Sequence, residues 1–248
     1  MAPTMLITGG SRGIGAATAE LAAAAGYNVC LSYQSNVGAA DLVKARCESF
    51  GVKALTVRAD VSQERDVLHL FERCDAALGV LTVLVNNAGV LSTQGRLVDF
   101  TAERMQRIMD VNAIGALLCA REAARRMSTS SGGAGGSIVN VSSLASTLGS
   151  PFEYIDYAAS KGAVDTLTIG LSKELGAEGV RVNAVRPGLI TTEIHASGGE
   201  PGRVERLKGN IPQGRGGTPE EVARLILWLA SDEASYVNGA LVDVAGGR

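Results

Sequence analysis

The stretch MLITGGSRGIGAATAELAAAA, residues 5–25, decides the fold. Met5–Thr8 is a short apolar run ending in a β-branched residue and reads as a strand. Thr8-Gly9-Gly10-Ser11-Arg12-Gly13-Ile14-Gly15 follows at once, and the Ala-rich segment after it predicts a helix over Gly13–Gly26. Glycines between a strand and a helix let the backbone turn sharply and approach a pyrophosphate, whose charge then sits at the positive helix N-terminus. The glycine spacing here is GxxxGxG rather than GxGxxG, so the strand and helix on either side carry the inference more than the glycines do. No Gly-Lys-Ser/Thr closes the turn, which excludes a P-loop nucleotide triphosphatase.

The same alternation runs outward to the end of the chain. Asn28–Tyr33, Ala54–Ala59, Leu81–Asn86, Ser137–Ser142, Arg181–Val185 and Ala240–Val244 read as further strands. Between them Val37–Phe50, Gln63–Leu78, Ala102–Met127, Tyr157–Gly176 and Pro219–Ser231 read as helices, the last opened by Thr218-Pro219-Glu220-Glu221. Strict alternation implies βαβ crossovers, hence an α/β fold: a doubly wound, seven-stranded parallel sheet with helices on both faces, the Rossmann architecture. With 248 residues, 46% hydrophobic and 19% charged, the whole chain fits one such domain. In such a sheet the ligand lies beyond the carboxyl ends of the strands, so site residues are sought just after them. Gly188–Gly217, long and rich in Gly and Pro, reads as a substrate loop or lid, and Ser128–Gly136 as a flexible loop.

Composition removes several function classes. Twenty-three Lys and Arg against 25 Asp and Glu leave a net charge of −2, without the basic field that nucleic acids or anionic membranes require. No apolar run approaches a membrane span, and the start Met1-Ala2-Pro3-Thr4 has no targeting character, so a cytoplasmic protein is expected. Cys30, Cys47, Cys74 and Cys119 are scattered and read as buried thiols. His69 and His195 are the only histidines, and no metal-ligand spacing exists.

A dinucleotide reader that selects NAD places an acid about 20 residues beyond the glycine turn, on the ribose 2′-hydroxyl. Here Ser32-Tyr33-Gln34-Ser35-Asn36 closes the second strand without one, while Arg12 in the turn offers a planar fork to a 2′-phosphate. The sequence therefore predicts NADP over NAD. An Arg12 that merely solvates the loop, or a site that takes both nucleotides, remain the other readings.

Tyr157 and Lys161 stand four residues apart and share a helix face. An ammonium near a phenol favours the phenolate and brings a group of pKa about 10 toward acid–base use. Ser142-Ser143 ends the strand before that helix, where a hydroxyl can bond a substrate carbonyl. Asn86-Asn87-Ala88-Gly89 ends the fourth strand with small residues that admit a ribose, and Asn112 interrupts the apolar run Ile108–Leu118, where an amide can kink the helix and bind a water.

In this combination the chain resembles the short-chain dehydrogenases/reductases, the family that includes 3-oxoacyl-carrier-protein reductases and sugar 1-dehydrogenases. The resemblance covers essentially the whole sequence and rests on TGGSRGIG at 8–15, Asp60-Val61, NNAG at 86–89, Asn112, Ser143, YAASK at 157–161 and Arg186-Pro187-Gly188-Leu189-Ile190 with Thr192. It implies a hydride transfer between a nicotinamide and a carbonyl or alcohol. Tyr157 would be the acid or base, Ser143 would steady the oxygen, Lys161 would lower the Tyr157 pKa and hold the nicotinamide ribose, and Asn112 would fix a water that relays protons to Lys161. It further implies that Gly9, Ser11, Arg12, Gly13, Ile14, Gly15 and Tyr33 cradle the nucleotide. Asp60 and Val61 would meet the adenine, Asn87, Ala88 and Gly89 the adenosine ribose, and Pro187, Gly188, Ile190 and Thr192 the nicotinamide. In the family the serine commonly precedes the tyrosine by thirteen residues; here Ser143 precedes Tyr157 by fourteen, with Ser142 the alternative.

The substrate is open at this level: a sugar, a small keto or aldehyde compound, or a 3-oxoacyl group on an acyl-carrier protein, for which Arg125 and Arg126 offer charge while Glu178 and Glu200 oppose it. Tyr154 borders the expected pocket, and His195 is either part of a lid or a substrate contact. The resemblance also implies a homotetramer, with Ala113–Ala124 and Ala158–Leu175 as the pairing faces. A catalytically idle NADP-binding sensor on the same fold is the alternative function. The set Asn112, Ser143, Tyr157 and Lys161 argues against it, since a sensor needs only the glycine turn. A methyltransferase could share sheet and turn but has no use for Tyr157 and Lys161.

Overall fold

The computed structural model describes residues 2–248. Its elements, in chain order, are β1 (Thr4–Ile7), α1 (Gly13–Ala24), β2 (Asn28–Tyr33), α2 (Val37–Glu48), β3 (Ala54–Arg58), α3 (Glu64–Leu78), β4 (Leu81–Asn86), α4 (Ala102–Met109), α5 (Gly115–Met127), β5 (Gly136–Val141), α6 (Ala145–Leu148), α7 (Ile155–Leu175), β6 (Val180–Pro187), α8 (Ile194–Ser197), α9 (Arg203–Leu207), α10 (Pro219–Ala230) and β7 (Leu241–Val244). The strands form one parallel sheet in the order β3-β2-β1-β4-β5-β6-β7. Strand order reverses between β1 and β4, so the crevice of a doubly wound sheet opens above those two strands.

Both faces of the sheet are covered, which explains why the strands read as nearly unbroken apolar runs. Along β1, Met5 and Ile7 point into a core shared with α1, α2 and α10, whereas Leu6 points into the other core with α3 and α5. Each core side chain of this size contributes about 2 kcal/mol on burial. All four cysteines are free and buried, as their apolar neighbourhoods suggest.

Three differences from the sequence expectation matter for the site. The expected helix Ala102–Met127 is broken by one wide π turn, Asp110–Ile114, so α5 begins afresh at Gly115. Gly115 lies so close to Val61 that a Cβ there would sit 2.7 Å from its side chain, which holds the start of α5 against the segment between β3 and α3. α7 begins at Ile155, two residues before Tyr157, which places Tyr157 in its first turn. Finally, Gly188–Gly217 is not an open loop: it carries α8 and α9, and a bridge between Ile190 and Gly217 closes its base.

Candidate active site

Every residue that the family resemblance assigns to catalysis or to the nucleotide, except Gly15 and Asn112, lines one cavity of about 1160 Å³ at the carboxyl ends of the strands. Its first arm is the turn between β1 and α1. Gly9 and Gly13 have φ of +64° and +54°, a backbone region that side chains resist. Gly15 faces away from the cavity because it is the packing contact beneath it: a Cβ there would lie 2.4 Å from the Gly9 carbonyl oxygen and 2.6 Å from Asn87 Nδ2.

Asn87 holds this turn from below. Its amide donates to the Thr8 and Gly9 carbonyls at 2.9 Å each, while the Asn87 and Ala88 N–H groups donate to Thr8 Oγ1 at 3.0 Å. The Gly9 N–H reaches Ser32 Oγ at 3.1 Å, a contact that sequence reasoning missed. Arg12 is exposed and, among the described residues, forms no ion pair. The neighbouring Arg46, by contrast, is taken by Glu20 at 2.9 Å.

Asp60 terminates the same arm. Burial alone would raise its pKa, but bonds from the Ser62 N–H and hydroxyl, together with Arg107, outweigh it and hold the carboxyl below its ordinary value. It stays ionised and available as an acceptor, with Gln34 Nε2 already at 2.8 Å.

The second group sits where β4, β5 and α7 converge. A buried chain of amides fixes these elements to one another: Asn86 donates to Asn140 Oδ1 at 3.1 Å and to the Ala116 carbonyl, and Asn140 donates to Thr168 at 2.9 Å. Tyr157 lies at the cavity wall beside Ser143. Burial pushes its pKa above 10, and Ser143 together with the Arg203 charge pulls it back. Ser143 Oγ also accepts the Ala145 N–H at 3.1 Å. Ser142 is fully engaged elsewhere, its hydroxyl donating to the Lys161 carbonyl at 3.2 Å.

Lys161 Nζ lies 5.7 Å from the centre of the Tyr157 ring and donates to the Val141 carbonyl at 2.8 Å. Desolvation lowers its pKa to about 8, with Asp165 opposing the fall. Tyr157 and Lys161 are therefore both pushed toward their neutral forms, and the side-chain cation that acts on Tyr157 is Arg203 from the far wall. Asn112 stands behind this group, 1% exposed. Its Oδ1 accepts the Val90 N–H at 2.8 Å, and its Nδ2 donates to the Val90 carbonyl and to Ser160. The amide at the wide turn thus ties the segment after β4 to α7. A Cβ on Gly89 would be in ordinary contact with Asn112 Oδ1 at 3.5 Å and Lys161 Nζ at 3.6 Å, so the Gly89 main chain borders both side chains.

The start of α7 is held by a pair that the sequence did not disclose. Arg104 donates to both Asp156 oxygens, at 2.7 and 3.3 Å, stacks over Phe100 and reaches the Thr93 carbonyl, while Asp156 accepts the Tyr157 N–H. An acid just before a candidate tyrosine was the available signal.

The third wall is the Gly188–Gly217 segment. Pro187, Gly188, Ile190 and Thr192 enter it from β6. Farther on, Gly198 packs against Leu91 and beside the Tyr154 hydroxyl. Arg203, 7% exposed, stacks on Tyr154 at 4.9 Å and donates to Glu153 at 2.5 Å. His195 is also buried, its Nε2 2.9 Å from the Ile190 carbonyl. The strand order and the glycine turn at the reversal point define a Rossmann-type domain, with Tyr157, Lys161 and Ser143 at the wall of its crevice.

Residues 9–248 match the family described as enoyl-(acyl carrier protein) reductase. The chain is 57% identical over 243 residues to the uncharacterized oxidoreductase YgfF of Escherichia coli, covering 98% of each. It is 37% identical to glucose 1-dehydrogenase 2 of Bacillus subtilis, covering 98% of this chain and 93% of that one. Among solved structures, a short chain dehydrogenase from Burkholderia cenocepacia in complex with NADP superposes with a TM-score of 0.90 at 32% identity, covering 99% and 97% of the two chains. The protein belongs to the short-chain dehydrogenase/reductase family and is an oxidoreductase. Among the described residues, no helix is long and apolar enough to cross a membrane.

Proposed function

We propose that this enzyme interconverts a carbonyl and an alcohol with NADP as its preferred nucleotide. The observation that carries the reading is the meeting of Ser143, Tyr157 and Lys161 at one wall of a cavity whose other arm is the glycine turn. The turn fits a dinucleotide because its left-handed glycines and the closure at Gly15 bring main chain close to the N-terminus of α1, with Arg12 as the charged side chain beside it. The unpaired Arg12 and the lack of an acid in Ser32–Asn36 support NADP over NAD, and one similar solved structure is an NADP complex.

When bound, the nicotinamide supplies or accepts the hydride at the substrate carbon. Tyr157 donates its phenolic proton to the carbonyl oxygen in reduction and takes it back in oxidation. Ser143 donates a hydrogen bond to that same oxygen and holds it within reach. Lys161, whose proton is loosened by burial, stabilises the phenolate as it forms and returns a proton to it. Asp60 would receive the adenine amino group, Lys161 and Tyr157 would hold ribose hydroxyls, and Pro187–Thr192 would line the nicotinamide. Asn112 acts as a positioning residue through Val90 and Ser160.

A small-molecule substrate is preferred to an acyl-carrier protein, because Arg125 and Arg126 are neutralised by Glu122 and Asp75. A homotetramer is proposed from the exposed Ile114, Leu117 and Ile169 on α5, α7 and the turn between α4 and α5, and gel filtration should give a mass well above the 25.5 kDa of one chain. The central test is oxidation of NADPH and NADH against a carbonyl panel. Tyr157→Phe should lower kcat by about 10³-fold while nucleotide fluorescence titration stays near wild type. Tight NADPH binding with no turnover of any carbonyl would move the protein to the sensor class.

A further inference from the structure

Three buried side-chain atoms in the described chain have no hydrogen-bond partner: Asp165 Oδ1, His195 Nδ1 and Arg203 Nη1. Two of the three belong to the substrate segment and to residues that line the cavity. An orphaned buried donor or acceptor costs about 1–3 kcal/mol, so two on one wall call for a partner that arrives from outside.

Their chemistry says what that partner is. His195 Nε2 faces the Ile190 carbonyl at 2.9 Å, and a carbonyl can only accept, so Nε2 carries the proton. Burial keeps the ring neutral, which leaves Nδ1 as a bare lone pair, an acceptor. Arg203 Nη1 can only donate. An oxyanion would satisfy Arg203 and be repelled by the imidazole lone pair. The charge at this wall is also already balanced, with Glu153 bonded to Arg203 and Arg206 and Glu200 bonded to Arg206. A hydroxyl group satisfies both atoms, since its oxygen accepts from one and its hydrogen donates to the other.

We propose that His195 Nδ1 and Arg203 Nη1 form a hydroxyl-recognising subsite, and that the physiological substrate is a neutral compound carrying a hydroxyl group in addition to the carbonyl or carbinol that reacts. The inference rests on the carbonyl–alcohol reading above and narrows it to hydroxy-ketones, hydroxy-aldehydes and polyols. The Arg203 charge acts on both His195 and Tyr157, which places the subsite within electrostatic reach of the proposed acid–base group.

The test compares matched ketones with NADPH: hydroxyacetone, acetone and pyruvate on one three-carbon frame, with acetoin against butan-2-one on the next. The wild type should favour each hydroxylated ketone over its plain analogue by about 100-fold in kcat/KM, because the analogue leaves both buried atoms unpaired. His195→Phe keeps the ring volume and removes the acceptor; Arg203→Lys keeps the charge against Glu153 and withdraws Nη1. Either change should shrink that preference to less than about 10-fold, with NADPH titration of each variant confirming an intact fold. Equal wild-type treatment of hydroxyacetone and acetone, a preference that survives both variants, or pyruvate as the better substrate would overturn the subsite. Failure of every ketone and aldehyde with both nucleotides would instead refute the carbonyl–alcohol reading itself, and the subsite with it.

Discussion

At the glycine-turn arm the floor of the cavity is main chain, with Arg12 and Asp60 at its edges. Gly9, Gly13 and Gly15 leave no room for side chains of their own, and the turn is braced by the Asn87 amide, which donates to it, and the Ser32 hydroxyl, which accepts from it. At the opposite arm the wall is made of long charged side chains, with Glu153, Arg203, Arg206 and Glu200 linked in one network and Tyr154 and His195 packed beneath. A main-chain wall admits almost no change without losing its shape, whereas a side-chain wall can be rewritten one residue at a time. Such a division suits an enzyme whose nucleotide is fixed and whose substrate varies between relatives.

The sharpest break in that comparison lies where the arms meet, at Lys161. Its folded pKa of about 8 lies below the unfolded value of 10.5, so between those pH values the unfolded chain binds a proton that the folded chain does not. Lys161 therefore destabilises the fold fully below about pH 8, and the penalty fades as pH rises toward 10.5. Lys161→Met should lower kcat by about 10³-fold yet raise stability at neutral pH by up to about 3 kcal/mol. Denaturant melts at pH 7 and pH 10 check this: the gain at pH 7 should shrink at pH 10, and a variant less stable at both would show that the Val141 contact outweighs desolvation.

Next in size is a paired glycine experiment, one in each arm. Gly15→Val places atoms within 2.6 Å of the Gly9 carbonyl and Asn87, and should weaken NADPH binding by about 100-fold or more. A Cβ on Gly202, before α9, meets nothing within 4 Å, so Gly202→Ala should leave NADPH affinity within about twofold. Fluorescence titration of both decides whether rigidity belongs to the first arm alone. Arg12→Ser probes charge there rather than shape. Removing the unpaired guanidinium should reduce the NADPH-to-NADH ratio of kcat/KM by about 10- to 50-fold, chiefly through KM. An unchanged ratio would reduce Arg12 to a solvated surface residue.

The two arms also differed in how far they could be read beforehand. Gly9–Gly15, Tyr157 and Lys161 are local signals, since each chemistry is encoded within one turn of chain, and the alternation of strands and helices placed them at the right ends of the sheet. The π turn at Asp110–Ile114 was hidden because the apolar pattern of Ile108–Leu118 runs through it without a break. Asn112 drew attention as a polar residue in that pattern, but its partners Val90 and Ser160 come from elements 22 and 48 residues away. Arg203 was invisible for the same reason: it gains meaning only from Glu153 and Tyr154, about fifty residues earlier, once α9 folds back over the cavity. Short helices such as α8 and α9 lack the length for periodicity to reveal them, so a Gly- and Pro-rich stretch read as loop.

The smallest effect tests how the second arm is held. Glu153 accepts from Arg203 at 2.5 Å and lies 3.5 Å from Arg206, and its main chain also accepts the Gly95 N–H, so it joins the substrate segment to the loop after β4. Arg203 is almost wholly buried, so its pair with Glu153 is shielded from solvent in a way that the exposed Arg206 pair is not. Glu153→Gln keeps the shape and a hydrogen-bond acceptor while removing the charge, which leaves Arg203 held less firmly against Tyr154. KM for substrate should rise about three- to tenfold with NADPH affinity unchanged, and added salt should weaken the wild type toward the variant only slightly. If NADPH affinity falls in step with KM, the two arms are mechanically coupled through Tyr154 and α7, and the division between a main-chain wall and a side-chain wall does not extend to how they move.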